Sequence, residues 1–376
     1  MRVVITGTIP GRFVDPDNNF SNFCWESWGN VWSLIDGVDC EFISHDDLIE
    51  EPELFDDIDI FMATMDLEEV LNHAFGKCFV IMVEHGSGHK IDIMVDVQER
   101  VKFIEHINKA DLILNSTHGG KDYMSLYTDT PILDIPVPID LDVFYPRKID
   151  KFDDFTICIG ETIDSAHSDR PLQYQAISIA KHVGAKISTS LNPDFSITKQ
   201  DVFDLTGIPE SDILFYPHGS MLEMSRGYMA RSHISMMVSQ RPTFGRFTYI
   251  SSAIGIPCIA SKFMMYEKIN DELTFGYMDI SEIINTVIKL RDDVDFYNHC
   301  QSKSLDNIKQ MSNSAIAIRI CNEILPFYKN NSNKNYYMKW QNSSDLDEKI
   351  IEESEGALKY FRIKRGLSFQ GANENG

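Results

Sequence analysis

The feature that most restricts the fold is a rhythm. Short apolar runs recur between stretches with helical spacing: Val3 to Thr6, Ile58 to Met62, Phe79 to His85 and Asp111 to Asn115, then Thr156 to Gly160, Ala185 to Thr189, Ile213 to Tyr216, Ile234 to Val238 and Pro257 to Ala260. A strand covered on both faces reads as a continuous apolar run, and intervening helices carry the chain back for parallel pairing. The rhythm predicts an α/β protein with two Rossmann-like units. Between them, Pro136, Pro138 and Pro146 lead into the charged run Arg147 to Asp154, the composition of a connection. The chain divides on this reading into 1–148, 149–328 and a last piece, 329–376, of loop, helix and tail. Within that piece Ser344 to Arg365 has the pattern of an amphipathic helix, expected to return to the first unit.

Composition decides which partners are plausible. With 376 residues, 43% hydrophobic and 11% aromatic, the chain can bury a core in each unit. Lys and Arg total 34 against 57 Asp and Glu, a formal charge of -23, which repels a polyanion unless the basic residues gather on one face. The seven cysteines form no C-x-x-C pair and are odd in number, so neither a zinc ribbon nor a disulfide scaffold is indicated. The chain opens directly on a strand-like run, and no apolar stretch reaches the length that spans a bilayer. A cytoplasmic protein is expected, in the host cytoplasm if the source is viral.

The most informative segment runs from Ser232 to Ser261: a buried strand, a polar loop, a helix, then Gly255-Ile256-Pro257 and another strand. A loop at a helix N-terminus presents unpaired N–H groups and the positive end of the helix dipole to a diphosphate. Gly245 lets the backbone come close, while Arg241 and Arg246 add fixed positive charge. Any βαβ unit has such a loop, so these features alone leave phosphate binding and plain connection equally open.

Thr243-Phe244-Gly245 and Gly255-Ile256-Pro257 are separated as in the retaining GT-B glycosyltransferases, and this segment resembles glycosyltransferase family 4 in particular. A second stretch resembles that family's link between domains: Val137 to Pro146, with Asp140, Phe144 and Pro146, followed by a strand ending at Gly160. Together the two cover roughly residues 110 to 325 in pattern. The resemblance implies the GT-B fold, two Rossmann-like domains across a cleft, and transfer of a sugar with retention from a nucleotide donor, most simply a UDP-sugar. It implies no cofactor beyond that co-substrate and no metal, since cationic side chains and a helix N-terminus stabilise the leaving diphosphate. The chain also departs from the family: its two glutamates, spaced E-x7-E, fall at Pro242 and Ile250, and its arginine after the first strand of the second domain falls at Glu161. Arg170, in the following segment, is the replacement expected to neutralise the diphosphate.

Other candidates follow the same carboxyl ends of strands. His218 and Gly219 follow Ile213 to Tyr216, where the resembling enzymes read the donor base. His85, Gly86 and His89 follow the run from Phe79, with His85 expected near both sugars and Glu84 a weaker candidate. Gly7 and Gly11 follow the first run and would line the acceptor side. The aromatic stretch through Phe20, Phe23, Trp25, Trp28 and Trp32 reads either as an acceptor wall or as core, and Asp57-Ile58-Asp59 reads as a strand start in preference to a metal motif.

The acceptor is left open as a glycan, metabolite or protein. A hydroxylated DNA base is the runner-up: Lys359, Arg362, Lys364 and Arg365 form a basic cluster, and Arg226, Arg231, Arg241 and Arg246 are expected around the cleft, but the net charge opposes it. Two further readings stand beside transfer. An epimerase acting on the donor alone would need a pair of acid and base carboxylates that the sequence does not offer, and a non-catalytic scaffold would explain the missing glutamates.

Overall fold

The structure is a computed structural model, and it describes residues 1–6, 24–64, 68–84, 97–160, 173–191, 198–217, 220–240 and 245–330. Two six-stranded sheets, parallel throughout, organise it. The first has the order β2-β1-β3-β4-β5-β6, from β1 (Arg2–Ile5), β2 (Asp39–Phe42), β3 (Ile60–Thr64), β4 (Phe79–Glu84), β5 (Leu112–Asn115) and β6 (Ile132–Asp134). The second has the order β12-β11-β10-β7-β8-β9, from β7 (Thr156–Ile159), β8 (Lys186–Ser190), β9 (Ile213–Tyr216), β10 (Ile234–Met237), β11 (Cys258–Ser261) and β12 (Thr274–Phe275). Each apolar run of the sequence supplies one strand. The strands it did not announce are β2, β6 and β12, all at or next to sheet edges. Strand β2 alternates exposed and half-buried residues, and β12 has two residues, so neither carries a buried run.

Side chains alternate between the two faces of the first sheet, as the pleat requires. Val3, Ile5, Ile60, Met62, Phe79, Ile81, Val83, Leu112 and Leu114 share one core layer. Val4, Phe61, Ala63, Val80, Met82 and Ile113 share the other. Helix α1 (Cys24–Trp32) closes the first layer with Trp28 and Trp32, both fully buried, so these two rings are core. Asp59 enters β3 by accepting the Arg2 N–H at 2.8 Å, which makes it the strand-start residue the sequence suggested.

Four further helices matter below: α2 (Arg246–Ala253), α3 (Glu267–Asn270), α4 (Val294–Asn307) and α5 (Asn313–Arg319). The Asp293 carboxylate caps α4 by accepting the Phe296 N–H at 2.9 Å. The chain changes cores twice. Ile135 and Val137 pack in the first unit and Ile139, Val143 and Phe144 in the second. Met311 still belongs to the second core, whereas Ile316, Ala317, Ile320, Ile324, Leu325 and Tyr328 pack on the first sheet. Residues 313–330 therefore return to the first unit; the expected helix at 344–365 lies outside the described residues. The two crossings pair with each other: Ile139 N–H donates to the Met311 carbonyl at 2.9 Å, and Asn313 N–H to the Ile139 carbonyl at 3.2 Å.

Candidate functional site

In an open parallel sheet the connections that leave the carboxyl ends of the strands form the binding edge. Here the two such edges face one another, because the connection after β5 touches the connection after β11: His118 Nδ1 lies 2.9 Å from Glu267 Oε1. The candidate site is the space between these edges.

On the first edge, the interior strands end in polar residues that are wholly or almost wholly buried: Thr64 on β3, Glu84 on β4 and Asn115 on β5, with Thr6 directly after β1. The Glu84 carboxylate accepts from Thr117 Oγ1 at 2.9 Å, and its carbonyl accepts from Ser116 Oγ at 2.5 Å. Asn115 Nδ2 donates to Asp134 Oδ1 and to the Thr117 carbonyl, each at 2.7 Å. The chain turns there at Gly119, with φ of 71°, and at Gly120, where a Cβ would collide with the Asn115 side-chain oxygen and lie 2.5 Å from Thr117 Oγ1. The hydroxyls of Thr6 and Thr64 are buried without a hydrogen bond.

The second edge is built from small residues. Gly160 ends β7 under α2: a Cβ there would be 2.9 Å from both Met237 Cβ and Phe247 Cδ1. Close packing thus accounts for Gly160, which the sequence had offered as a substrate contact. Gly245 leads into α2 in the left-handed region, with φ of 62°, and its carbonyl accepts the Thr248 N–H at 2.8 Å. N–H groups in the first turn of a helix have no carbonyl of that helix to bond, and together they carry roughly half a positive charge. Arg246, half-buried, adds a guanidinium at that start. Ile250, at one of the two family glutamate positions, is fully buried and packs in the core of the second unit.

Of the remaining sequence candidates, Gly7, Gly11, His85, Gly86, His89, Arg170, His218, Gly219, Arg241, Thr243 and Phe244 lie outside the described residues, as does Pro242. Of the site residues expected, Gly245 and Arg246 are brought together at one helix start. Two arginines expected at the cleft are elsewhere. Arg231 stacks over Phe152, its guanidinium 4.4 Å from the ring centroid, just before the amino end of β10. Arg226 lines a small pocket with Arg147, Tyr145 and Ile254, at the connection between the units. Lys151 donates to the carbonyls of Ala230 and Ser232, and burial pushes its pKa down to about 8.

The sequence did not point to the Asn115 to Gly120 turn, to Tyr249 or to Glu267. Tyr249 on α2 is 1% exposed, and its hydroxyl has no partner. Burial and then the nearby Glu267 charge raise its pKa. The available signal was the pair Gly119-Gly120, separated by three residues from the run ending at Asn115, which marks a tight turn. Among the described residues, no three His, Cys, Asp or Glu side chains are grouped to hold a metal ion, and no helix is long and apolar enough to cross a membrane.

Two all-parallel sheets with facing carboxyl edges and a C-terminal segment that returns to the first unit define the GT-B fold. Solved structures agree. Sucrose-phosphate synthase from Thermosynechococcus elongatus superposes with a TM-score of 0.65 at 12% identity, over 87% of this chain and 99% of that one. Anabaena HepE in complex with UDP and glucose gives 0.63 at 12% identity, over 86% and 99%. The lipopolysaccharide outer core galactosyltransferase WaaB in its apo form gives 0.59 at 12% identity, over 87% and 99%. No protein-family profile and no curated protein sequence matches the chain.

Proposed function

We propose that this protein is a glycosyltransferase that moves a sugar from a nucleotide donor, most simply a UDP-sugar, to a hydroxyl acceptor. The observation that carries the reading is the start of α2, where Gly245 and Arg246 stand at the carboxyl edge of the second sheet. The fold neighbour HepE, in complex with UDP and glucose, supports the nucleotide assignment by analogy. On this reading the second unit holds the donor and the first holds the acceptor.

In the reaction the acceptor oxygen bonds to the anomeric carbon while the bond from that carbon to the diphosphate oxygen breaks. The electron pair leaves with the diphosphate, and the acceptor proton passes to that leaving group or to water. Negative charge therefore grows on the side of α2. On this reading the N–H groups at the helix start and the charge of Arg246 are what stabilise it, the preorganised kind of electrostatic catalysis. Retention, a metal-free departure of the diphosphate, and roles for Arg170 beside the diphosphate and His85 beside the sugars belong to the same proposal. A carbohydrate, metabolite or protein hydroxyl suits a chain of charge -23 better than DNA does.

One observation favours a second reading, a nucleotide-sugar-binding protein without turnover. The buried Ile250 leaves that place without the carboxylate that holds the donor ribose in the resembling family. Thermal melting with nucleoside diphosphates and their sugars separates the cases. Saturating UDP at 100 times its Kd adds about 2.7 kcal/mol of stability, and Arg246→Ala should lose most of that rise. The transferase reading further requires release of the diphosphate when a hydroxyl acceptor is added. Binding without release supports the second reading, and no shift with any nucleotide sinks both.

A further inference from the structure

The pair formed by His118 and Glu267 joins residues 149 positions apart, one in each unit. A carboxylate only accepts, so the Nδ1 proton of His118 makes the bond. Each partner is anchored on a crossing between the units. Asn115 Nδ2 ties the turn that carries His118 to Asp134 at the end of β6, the strand from which the first crossing departs. On the other side, Gln310 Nε2 donates to the Lys268 carbonyl and Asn307 Nδ2 to the Ile269 carbonyl, both at 2.9 Å. Helix α3, which begins at Glu267, is thereby fixed to the segment that runs into the second crossing. A contact this close to the pivot has a short lever arm: a small change at His118 and Glu267 becomes a large displacement at the far edges, β2 and β9.

Glu267 Oε2 is buried without a partner, as is the Tyr249 hydroxyl whose titration its charge displaces. Buried polar atoms are nearly always paired, so an unpaired one calls for an explanation. Tyr249 stands about one turn beyond Arg246 on α2. Glu267 therefore binds the first unit with one oxygen while its other oxygen is buried without a hydrogen bond.

We infer that the His118–Glu267 contact is the angular stop of the hinge between the two units, with Glu267 a positioning residue that fixes the angle between them. The kinetic readout of this inference rests on the glycosyltransferase reading; the distance readout does not.

The test places two distance probes on the edges farthest from the crossings, at Asp36 beside β2 and at Leu205 ahead of β9, both exposed. His118→Ala and Glu267→Ala should each shift or broaden the distance between them, and the double variant should shift it no further than either single change. His118→Asn, whose amide nitrogen can take the place of Nδ1, should restore the wild-type distance. In the transfer assay, His118→Ala should lower kcat by roughly 10- to 100-fold, the scale of an ångström of misplacement, while the UDP-induced melting shift stays. Unchanged distances in both single variants, or a double variant equal to their sum, overturn the stop. If the distances move as expected but wild-type protein transfers no sugar, the hinge inference stands and the glycosyltransferase reading falls.

Discussion

The two facing edges are made of different material. The first ends in Thr6, Thr64, Glu84 and Asn115, and its carboxylate is held by Thr117. The second ends in Gly160, Ser190 and Ser261, with Arg246 beside it at a helix start. A buried acid thus stands on one side, and a helix start with an arginine on the other. On the proposed transferase reading, the leaving anion is drawn toward the second unit. The same contrast appears in packing: the first edge is fixed by side-chain hydrogen bonds, whereas the second is fixed by glycines that let helix and strand approach.

The largest effect is expected where a glycine lets a helix lie directly on a strand. Gly160→Val puts a branched side chain where a Cβ alone would already sit 2.9 Å from Met237 and Phe247. Overpacking of this kind costs about 1–3 kcal/mol, and at roughly 2–4 °C per kcal/mol for a unit this size the melting temperature should fall by several degrees. An unchanged melting temperature would mean that α2 shifts freely over β7, and the second edge would then lose its claim to rigidity.

A matched pair of substitutions sharpens the contrast on the first edge. Thr117→Val keeps the shape and removes a donor to Glu84, at a cost of about 0.5–1.5 kcal/mol for a lost hydrogen bond. Thr64→Val removes a hydroxyl that is buried without a partner, so it should be neutral or slightly stabilising. Chemical denaturation of both variants reads the difference directly. Equal losses would show that the Glu84–Thr117 bond contributes nothing special.

How much of this was legible in the sequence follows from the same contrast. Strands β3, β4, β10 and β11 are buried along their length, so their apolar runs announced them, often to within a residue or two. Strand β2 reads Asp-Cys-Glu-Phe and carries no such run, and β6 and β12 are too short to show one. Gly245 was readable because a left-handed residue ahead of a helix favours glycine. Gly160 was readable as a glycine that matters, but not why: its neighbours Met237 and Phe247 are 77 and 87 residues away, and only the folded chain brings them together. Glu267 had no local signal at all, since its importance lies in a contact with the other unit.

The smallest effect concerns a place outside both edges, where charge works only at the surface. Lys303 donates to Asp271 and Glu272 at 2.6 and 2.7 Å, and His299 Nε2 lies 2.8 Å from the same Glu272 oxygen. The bond from Lys303 holds both carboxyls below their ordinary pKa and raises that of the lysine. A carboxylate whose folded pKa is depressed contributes stability above its ordinary range and loses it as pH falls through the folded value. The lysine contributes below its ordinary range and loses that share as pH rises through its raised value. Because the group is largely solvated, screening keeps the total under about 1 kcal/mol. Lys303→Met should therefore melt slightly below wild type across neutral pH, and the gap should close on acidification through the carboxylate range. A gap that persists at low pH would assign the loss to packing of the lysine stem against α3 and α4. A gap larger than that found for Thr117→Val would reverse the ranking of buried over exposed charge from which these expectations are drawn.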